Sequence, residues 1–211
     1  MNNRKKKIRI FVDIAMPILL ITIMGYQLVG RAYHEYAGIA MFILFIIHNY
    51  LNIKWYKVLF KGKYTPYRIL STFINISILI IMILLMVSGI IMSEYAFKFL
   101  NLNFGNSISR LIHLSLSYWE YILMSFHLGM HLGQIINKNR KYIFVIIAVA
   151  LYGVYTFLTS KIWSYMLLIN KFAFFDTDEN IFKFIIDYTA IMILFAMLGY
   201  YISSILKKSK A

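Results

Sequence analysis

All five histidines of this 211-residue chain lie in two apolar stretches, and their spacing is that of paired metal ligands. One stretch holds His34 and His48, and the other holds His113, His127 and His131. Within each stretch the first two histidines are fourteen residues apart. In a helix, at about 100° per residue, this spacing returns to within about 40° of the starting direction and advances about 21 Å. Each pair therefore shares one helix face, with one member near each end of the helix.

The two stretches also match in depth. Arg31 precedes His34 by three residues, and Arg110 precedes His113 by the same interval. If these arginines mark one membrane boundary, and if the two helices run in the same direction, the histidines of the two stretches lie level with each other. Two parallel neighbouring helices then present two facing imidazole pairs, stacked along the membrane normal.

Facing imidazole pairs suit haem, because its apolar ring fits between helices while the iron takes one imidazole on each side of the ring. We therefore predict two b-type haems. His34 and His113 would hold the outer haem, and His48 and His127 the inner haem. Two imidazoles per iron leave no open axial position, so the predicted chemistry is one-electron transfer rather than oxygen binding. The chain has no cysteine, which excludes disulfides, thiolate metal sites and c-type haem attachment.

Three further side chains are candidates near the predicted haems. His131 follows His127 by four residues, so it is an alternative ligand or a neighbouring polar group, although matched depth favours His127. Arg31 and Arg110 lie at the outer boundary, where they either contact haem propionates or act as ordinary interfacial anchors.

Glu120 lies seven residues from both His113 and His127, on the same side of the predicted helix and at mid-membrane. This inter-haem carboxyl either couples protons to electron occupancy or acts as a hydrogen-bonding group. Asp13 and Asp187, near the ends of their stretches, are predicted to be interfacial or paired.

The composition predicts that membrane helices position these residues. The chain is 61% hydrophobic, has a mean hydropathy of +0.71 and contains 14% charged residues, whereas soluble proteins have about 25%. Gly38, Gly129 and Gly133 are candidates for close approach of a helix or a haem ring. The apolar runs, each about long enough to span a bilayer, are 8–29, 32–53, 68–93, 110–136, 142–160 and 182–206. The expected fold is an all-α, six-span transmembrane bundle forming a single domain over 1–211, with both haems between spans two and four.

The distribution of basic residues predicts the orientation. The chain carries a formal net charge of +14, and most of its 22 Lys and Arg lie at the amino terminus, in 54–67, in 137–141 and in the carboxyl tail. Basic residues between apolar runs indicate cytoplasmic flanks rather than a nucleic-acid surface, so nucleic-acid binding is not expected. We predict a multi-pass protein of the cell membrane with both termini in the cytoplasm. The aromatic stretch 162–175 is expected to lie along the outer interface, followed by an acidic cluster of Asp176, Asp178 and Glu179.

From about residue 30 to residue 205 the chain resembles the flavinylation-associated cytochromes. The similarity lies in His48–Asn52, Lys54–Lys57, Lys61–Tyr64, Arg110–His113, Ser125–His131 and Phe172–Asp176. The resemblance implies a b-type cytochrome whose haem ligands correspond to His34, His48, His113 and His127. It also implies an extracytoplasmic partner with covalently attached flavin. This chain has no flavin-attachment sequence, so the flavin would belong to that partner, and residues 161–181 are the candidate docking surface. A quinone or a cytoplasmic donor would supply the electrons, which describes an electron-transfer subunit rather than a stand-alone enzyme.

Two alternatives come from other functional classes. A zinc or copper site made of His48, His127 and His131 would suit a transporter or an intramembrane hydrolase, but it leaves the two outer histidines unexplained. A structural membrane subunit would use its imidazoles only for hydrogen bonds between helices. Neither alternative explains the matched spacing and depth.

Overall fold

Every regular element that the structure describes is helical, which confirms the all-α class. The structure is a computed structural model, and it describes residues 3–102, 105–133, 140–172 and 180–208. The helices are α1 (Asn3–Met24), α2 (Tyr26–Val29), α3 (Arg31–Leu51), α4 (Ile53–Lys57), α5 (Pro66–Ile91), α6 (Asn106–His131), α7 (Ile143–Thr159), α8 (Ile162–Met166) and α9 (Ile181–Lys208). Single 3₁₀ turns occur at Lys98–Leu100 and Arg140–Tyr142.

The six long helices α1, α3, α5, α6, α7 and α9 coincide with the six predicted apolar runs. Residues 134–136, the predicted end of the fourth run, lie outside the described residues. The first run is broken at Gly25 instead of forming one helix. A side chain at Gly25 would place its Cβ 3.0 Å from the Phe184 ring of α9, so the break occurs where another helix approaches the backbone.

Glycine contacts bring the backbone of α9 against α6. A Cβ at Gly129 would lie 1.8 Å from the Ala196 carbonyl oxygen, and a Cβ at Gly199 would lie 2.1 Å from the Phe126 carbonyl oxygen. These distances are far below van der Waals contact, so a larger residue at either position would force the helices apart. Gly129 therefore permits the approach of a helix, which was one of its two predicted roles.

The two helices that carry the histidines do not pack closely on each other. The main partner of α3 is α1, whereas α6 packs mainly on α5 and α9. Gly38 of α3 has no atom within 4 Å of the position that a Cβ would occupy. The facing sides of α3 and α6 are thus bridged by side chains rather than by backbone contact.

Much of the outer surface of the bundle is apolar. Helices α5 and α9 are long and apolar enough to cross a membrane, and only 22% and 39% of their most apolar stretches are buried. The core helix of a soluble protein would be mostly buried. Helix α7 is apolar but has 17 residues, while α1, α3 and α6 carry charged and histidine side chains that lower their hydropathy.

Candidate metal centres between α3 and α6

The outer pair consists of His34 on α3 and His113 on α6, whose ring centroids lie 6.0 Å apart with the ring planes at 65°. His34 Nδ1 lies 2.9 Å from the Ile23 carbonyl oxygen, to which only a protonated nitrogen can donate. The Ser88 hydroxyl donates to the Leu85 carbonyl and can therefore accept from His113 Nδ1 at 3.0 Å. His34 thus carries the proton on Nδ1, and the same tautomer of His113 would also leave the Nε2 lone pair available to a metal.

The inner pair consists of His48 on α3 and His127 on α6, whose centroids lie 6.4 Å apart with the ring planes at 78°. His48 Nδ1 lies 2.8 Å from Asp13 Oδ1 of α1. The amide nitrogen of Asn52 lies 3.3 Å from His48 Nε2 and 2.8 Å from the His48 carbonyl oxygen. His127 Nδ1 is buried and has no hydrogen-bond partner among the described residues. A carboxylate therefore orients one inner ring, while the other is held by packing.

The spacing within both pairs fits two imidazoles on opposite sides of one metal ion. A metal–nitrogen bond of about 2 Å and a ring radius of about 1 Å place each ring centroid about 3 Å from the metal. Two rings on opposite sides are then about 6 Å apart. The observed 6.0 Å and 6.4 Å agree with this value, so the donor set fits axial ligation of two haem irons.

The histidines are arranged in pairs rather than in triads. Within the described ranges, no three His, Asp or Glu side chains are placed to hold a metal ion together. Zinc sites use three or four protein ligands, whereas haem supplies four nitrogens of its own and takes two more axially. The predicted triad of His48, His127 and His131 is therefore a poorer match to this geometry than two haems.

A buried layer separates the two pairs. Met41 on α3 and Glu120 on α6 each lie seven residues from both histidines of their own helix, so they share the histidine face at mid-height. Met41 is 2% exposed and Glu120 is 1% exposed. Neither carboxyl oxygen of Glu120 has a hydrogen-bond partner in the part of the chain that the structure describes. An ionised carboxylate that is buried without a partner is energetically costly, so the burial of Glu120 needs an explanation other than packing.

Both arginines at the predicted outer boundary have protein partners. Arg31 forms an ion pair with Glu94, and its Nε donates to the Tyr26 hydroxyl at 2.9 Å. The Arg110 guanidinium lies over the Phe172 ring, 4.5 Å from its centroid. Both predicted roles, contact with haem propionates and interfacial anchoring, stay predictions.

His131 lies beside the inner pair rather than within it. Its ring centroid is 4.7 Å from that of His127, and the side chain is exposed. His127 is the residue whose ring meets His48, as matched depth predicted. His131 instead lines a cavity of about 360 Å³ at the same end of the bundle.

The sequence predicted only some of the residues that contact the candidate histidine ligands. Asp13 is paired with His48, and pairing was one of its two predicted states. An ionisable residue within an apolar stretch usually has a partner, which is why this pairing could be predicted. Asp187 is paired too, with the Tyr152 hydroxyl at 2.6 Å. Ser88 carried no such signal, since serine is common in apolar helices.

Glu35, next to His34 in sequence, was also missed. Its carboxylate accepts hydrogen bonds from the Ser93 hydroxyl at 2.7 Å and from three consecutive backbone amides at 2.9, 3.0 and 2.9 Å. The amides belong to Glu94, Tyr95 and Ala96. Glu35 thus ties the segment after α5 to the start of α3, at the end where the outer pair lies.

The stretch predicted to lie along the outer interface is partly internal. Ile162 of α8 is 0% exposed, and Tyr165 stacks on Tyr118 of α6 with a centroid distance of 5.1 Å. Ser115 Oγ donates to the Met166 carbonyl at 2.7 Å. Of the candidate docking surface 161–181, residues 173–179, including the acidic cluster, lie outside the described residues, as does most of the Phe172–Asp176 motif.

Comparison with family models, curated proteins and solved structures finds no match to this chain. The resemblance to the flavinylation-associated cytochromes therefore stays a prediction, and the functional case depends on the geometry of α3 and α6.

Proposed function

We propose that this chain is a six-span membrane cytochrome that holds two b-type haems between α3 and α6 and moves electrons across the bilayer. The observation that carries the proposal is the presence of two facing imidazole pairs, at 6.0 Å and 6.4 Å, at corresponding positions of two helices. Hydrogen bonding between helices accounts for one such contact but gives no reason for two with the same spacing.

The outward-facing side chains support the membrane location. Large exposed apolar residues recur along all the long helices, whereas soluble proteins rarely expose extended apolar surface. Examples are Phe11, Ile14 and Ile18 on α1; Ile43 and Ile46 on α3; Phe73, Ile80 and Val87 on α5; Leu151, Val154 and Leu158 on α7; and Ile186, Leu198 and Ile205 on α9. A lipid environment would cover these faces, and the basic segments would then lie in the cytoplasm.

The chain's own residues would hold and orient the cofactors. The outer and inner pairs would supply the imidazole nitrogens, and the Ile23 carbonyl, the Ser88 hydroxyl and the Asp13 carboxylate contact three of the four rings. When bound, haem with two imidazole ligands supplies one-electron redox chemistry without an open site for oxygen. The buried side chains of Met41 and Glu120 would separate the two cofactors at mid-height.

The partners follow from the resemblance and remain part of the proposal. Electrons would come from a quinone or a cytoplasmic donor and leave to an extracytoplasmic flavoprotein. The docking surface would lie in 161–181, where the described residues Leu167 and Ile169 are each 62% exposed. Such apolar side chains outside the long helices suit contact with a partner protein or with the membrane interface.

A reduced-minus-oxidised absorption spectrum of the purified chain, with haem and metals quantified in the same sample, tests the proposal. We expect about two haems per chain and a spectrum of low-spin iron with two imidazole ligands. Stoichiometric zinc or copper without haem would overturn the proposal in favour of the transporter or hydrolase alternative. A folded chain with neither haem nor metal would favour the structural subunit.

A further inference from the structure

A cavity of about 360 Å³ lies at the inner end of the bundle, between α4, the start of α5 and the end of α6. Its walls combine aromatic, aliphatic and hydroxyl side chains with one imidazole and the Arg68 guanidinium. The other side chains at the walls include Trp55, Val58, Tyr67, Ser71, Thr72 and His131. The volume lies at the lower end of the range of about 300–1,000 Å³ usual for small-molecule sites.

The walls of the cavity are held in place by hydrogen bonds. The Arg68 guanidinium donates to the carbonyl oxygens of Val58 at 2.5 Å and of Lys63 at 3.2 Å, which fixes the segment between α4 and α5. Tyr56 donates to the Asn49 side chain and so ties α4 to α3, and burial raises the pKa of its phenol. These bonds link the segments that line the cavity to one another and to α3.

The cavity adjoins the inner pair. His131, which lines it, lies 4.7 Å from His127 between ring centroids. A molecule in the cavity would thus be separated from the inner pair by a single side chain.

The side chains of the cavity favour a flat ring that carries hydrogen-bond acceptors. Trp55 and Tyr67 offer aromatic faces, while Ser71, Thr72 and His131 offer donors. A phosphate group would need free cationic groups, but the Arg68 guanidinium is engaged by carbonyl oxygens and Lys207 lies over the Tyr67 ring at 4.2 Å. The chemistry therefore matches a neutral carbonyl-bearing ring better than a phospholipid headgroup.

We propose that this cavity binds the headgroup of a lipid-soluble quinone beside the inner pair. The inference rests on the proposed function, because a quinone at this place is useful only if the neighbouring pair holds a redox centre. Its apolar tail would leave toward exposed apolar side chains in the first turns of α5, such as Ile69 and Phe73.

Photolabelling of the full-length protein in lipid nanodiscs tests the site, with haem quantified in the same samples. The probe is an azido-substituted naphthoquinone, and the labelled peptides are identified by mass spectrometry. We expect labelling within 54–72, displaced by excess naphthoquinone. Ser71→Phe should reduce displaceable labelling at least about tenfold, because the added ring fills the cavity. The matched control Ile80→Phe adds the same ring to an outward-facing position farther along the same helix and should stay within about twofold of the native protein.

Thr72→Val keeps the shape of the side chain and removes only its hydroxyl. We expect about a threefold to tenfold loss of affinity, as for one neutral hydrogen bond of about 0.5–1.5 kcal/mol. If Ser71→Phe does not fold, the Thr72→Val variant tests the quinone site in its place.

Three results separate the two proposals. Normal haem content with no displaceable labelling in 54–72 overturns the quinone site and leaves the cytochrome intact. Displacement by an anionic phospholipid but not by naphthoquinone also overturns it, in favour of a lipid site. Displaceable labelling in a protein without haem supports the cavity as a quinone site and overturns the proposed cytochrome function.

Discussion

The outer and inner imidazole pairs have similar spacing but different surroundings. The outer rings bond to a backbone carbonyl and to a serine hydroxyl, both neutral. In the inner pair, His48 bonds to the Asp13 carboxylate, and His127 Nδ1 is buried without a partner among the described residues. The exposed His131 and the proposed quinone cavity lie at the inner end only. The two pairs thus differ in the charge of their hydrogen-bond partners and in their proximity to a cavity.

The carboxylate is the difference with the clearest electronic consequence. A carboxylate that accepts from the imidazole Nδ1–H makes the ring a stronger donor to its metal and stabilises the oxidised, more positive iron. We therefore expect the inner haem to have the lower reduction potential. Electrons would then move from the inner to the outer haem. A membrane potential that is negative inside would favour the same direction, by about 2.3 kcal/mol for each unit charge that crosses 100 mV.

Removal of a single histidine should have the largest effect. His34→Ala should lower the haem content from about two to about one per chain and leave the inner haem, whereas His48→Ala should leave the outer one. Under the proposed ligation, each replacement would remove one of the two protein ligands of its iron. Haem quantification with a redox titration measures both. His131→Ala is the control and should retain both haems; if both also survive His34→Ala, the pairing is wrong.

Asp13→Asn should have the next largest effect, and only on the inner haem. The asparagine amide keeps the shape of the aspartate side chain but removes its charge, so the reduction potential of the inner haem should rise. We expect a rise on the order of 60 mV, which corresponds to a tenfold change in the redox equilibrium. A potentiometric titration followed by absorption distinguishes the two haems. Asp187→Asn removes a carboxylate that bonds Tyr152, away from the histidines, and should change neither potential. An equal shift in the potentials of both haems would contradict the assignment of Asp13 to the inner haem.

Ser88→Ala should give a smaller change, confined to the outer haem. It removes one neutral hydrogen bond from His113, and neutral hydrogen bonds are about half as strong as those to a charged group. We expect a shift of about 30 mV, roughly half of the Asp13→Asn effect, measured in the same titration. Ser117→Ala, on a hydroxyl that donates only to the Leu114 carbonyl, is the matched control. A shift in the inner haem alone would show that the outer and inner assignments are reversed.

Glu35→Gln should alter stability at the outer end with little effect on either haem. The amide cannot accept all of the bonds that the carboxylate accepts, so we expect a loss of about 1–3 kcal/mol in the free energy of unfolding. Thermal unfolding of the purified protein measures the change. Glu94→Gln, which removes an exposed ion pair with Arg31, should cost less than about 1 kcal/mol. Similar losses in both variants would argue against the anchoring role of Glu35.

The helices and the facing pairs were predictable because both follow from periodicity along the chain. Fourteen-residue spacing fixes a common helix face whatever the neighbouring helices do, and the structure brings together the same partners that equal depth predicted. The membrane topology and the haem ligation derived from the same pattern stay predictions.

The remaining features depend on contacts between distant segments, which no local pattern contains. The helix break at Gly25 needs the Phe184 ring of α9, and the burial of α8 needs Tyr118 of α6. Ser88 meets His113 only because α5 packs against α6. In each case the partner lies more than twenty residues away in sequence, and many similar residues compete for the role.

The sharing of each pair between α3 and α6 has a consequence for the order of synthesis. Helix α3 emerges from the ribosome with both of its histidines well before α6 exists. Asp13 is already present at that time, so it can bond to His48 in the nascent chain, while neither proposed iron site would have its second ligand. Incorporation of both cofactors would therefore follow the insertion of α6. A chain truncated before residue 113 would carry two half-sites and retain no tightly held haem.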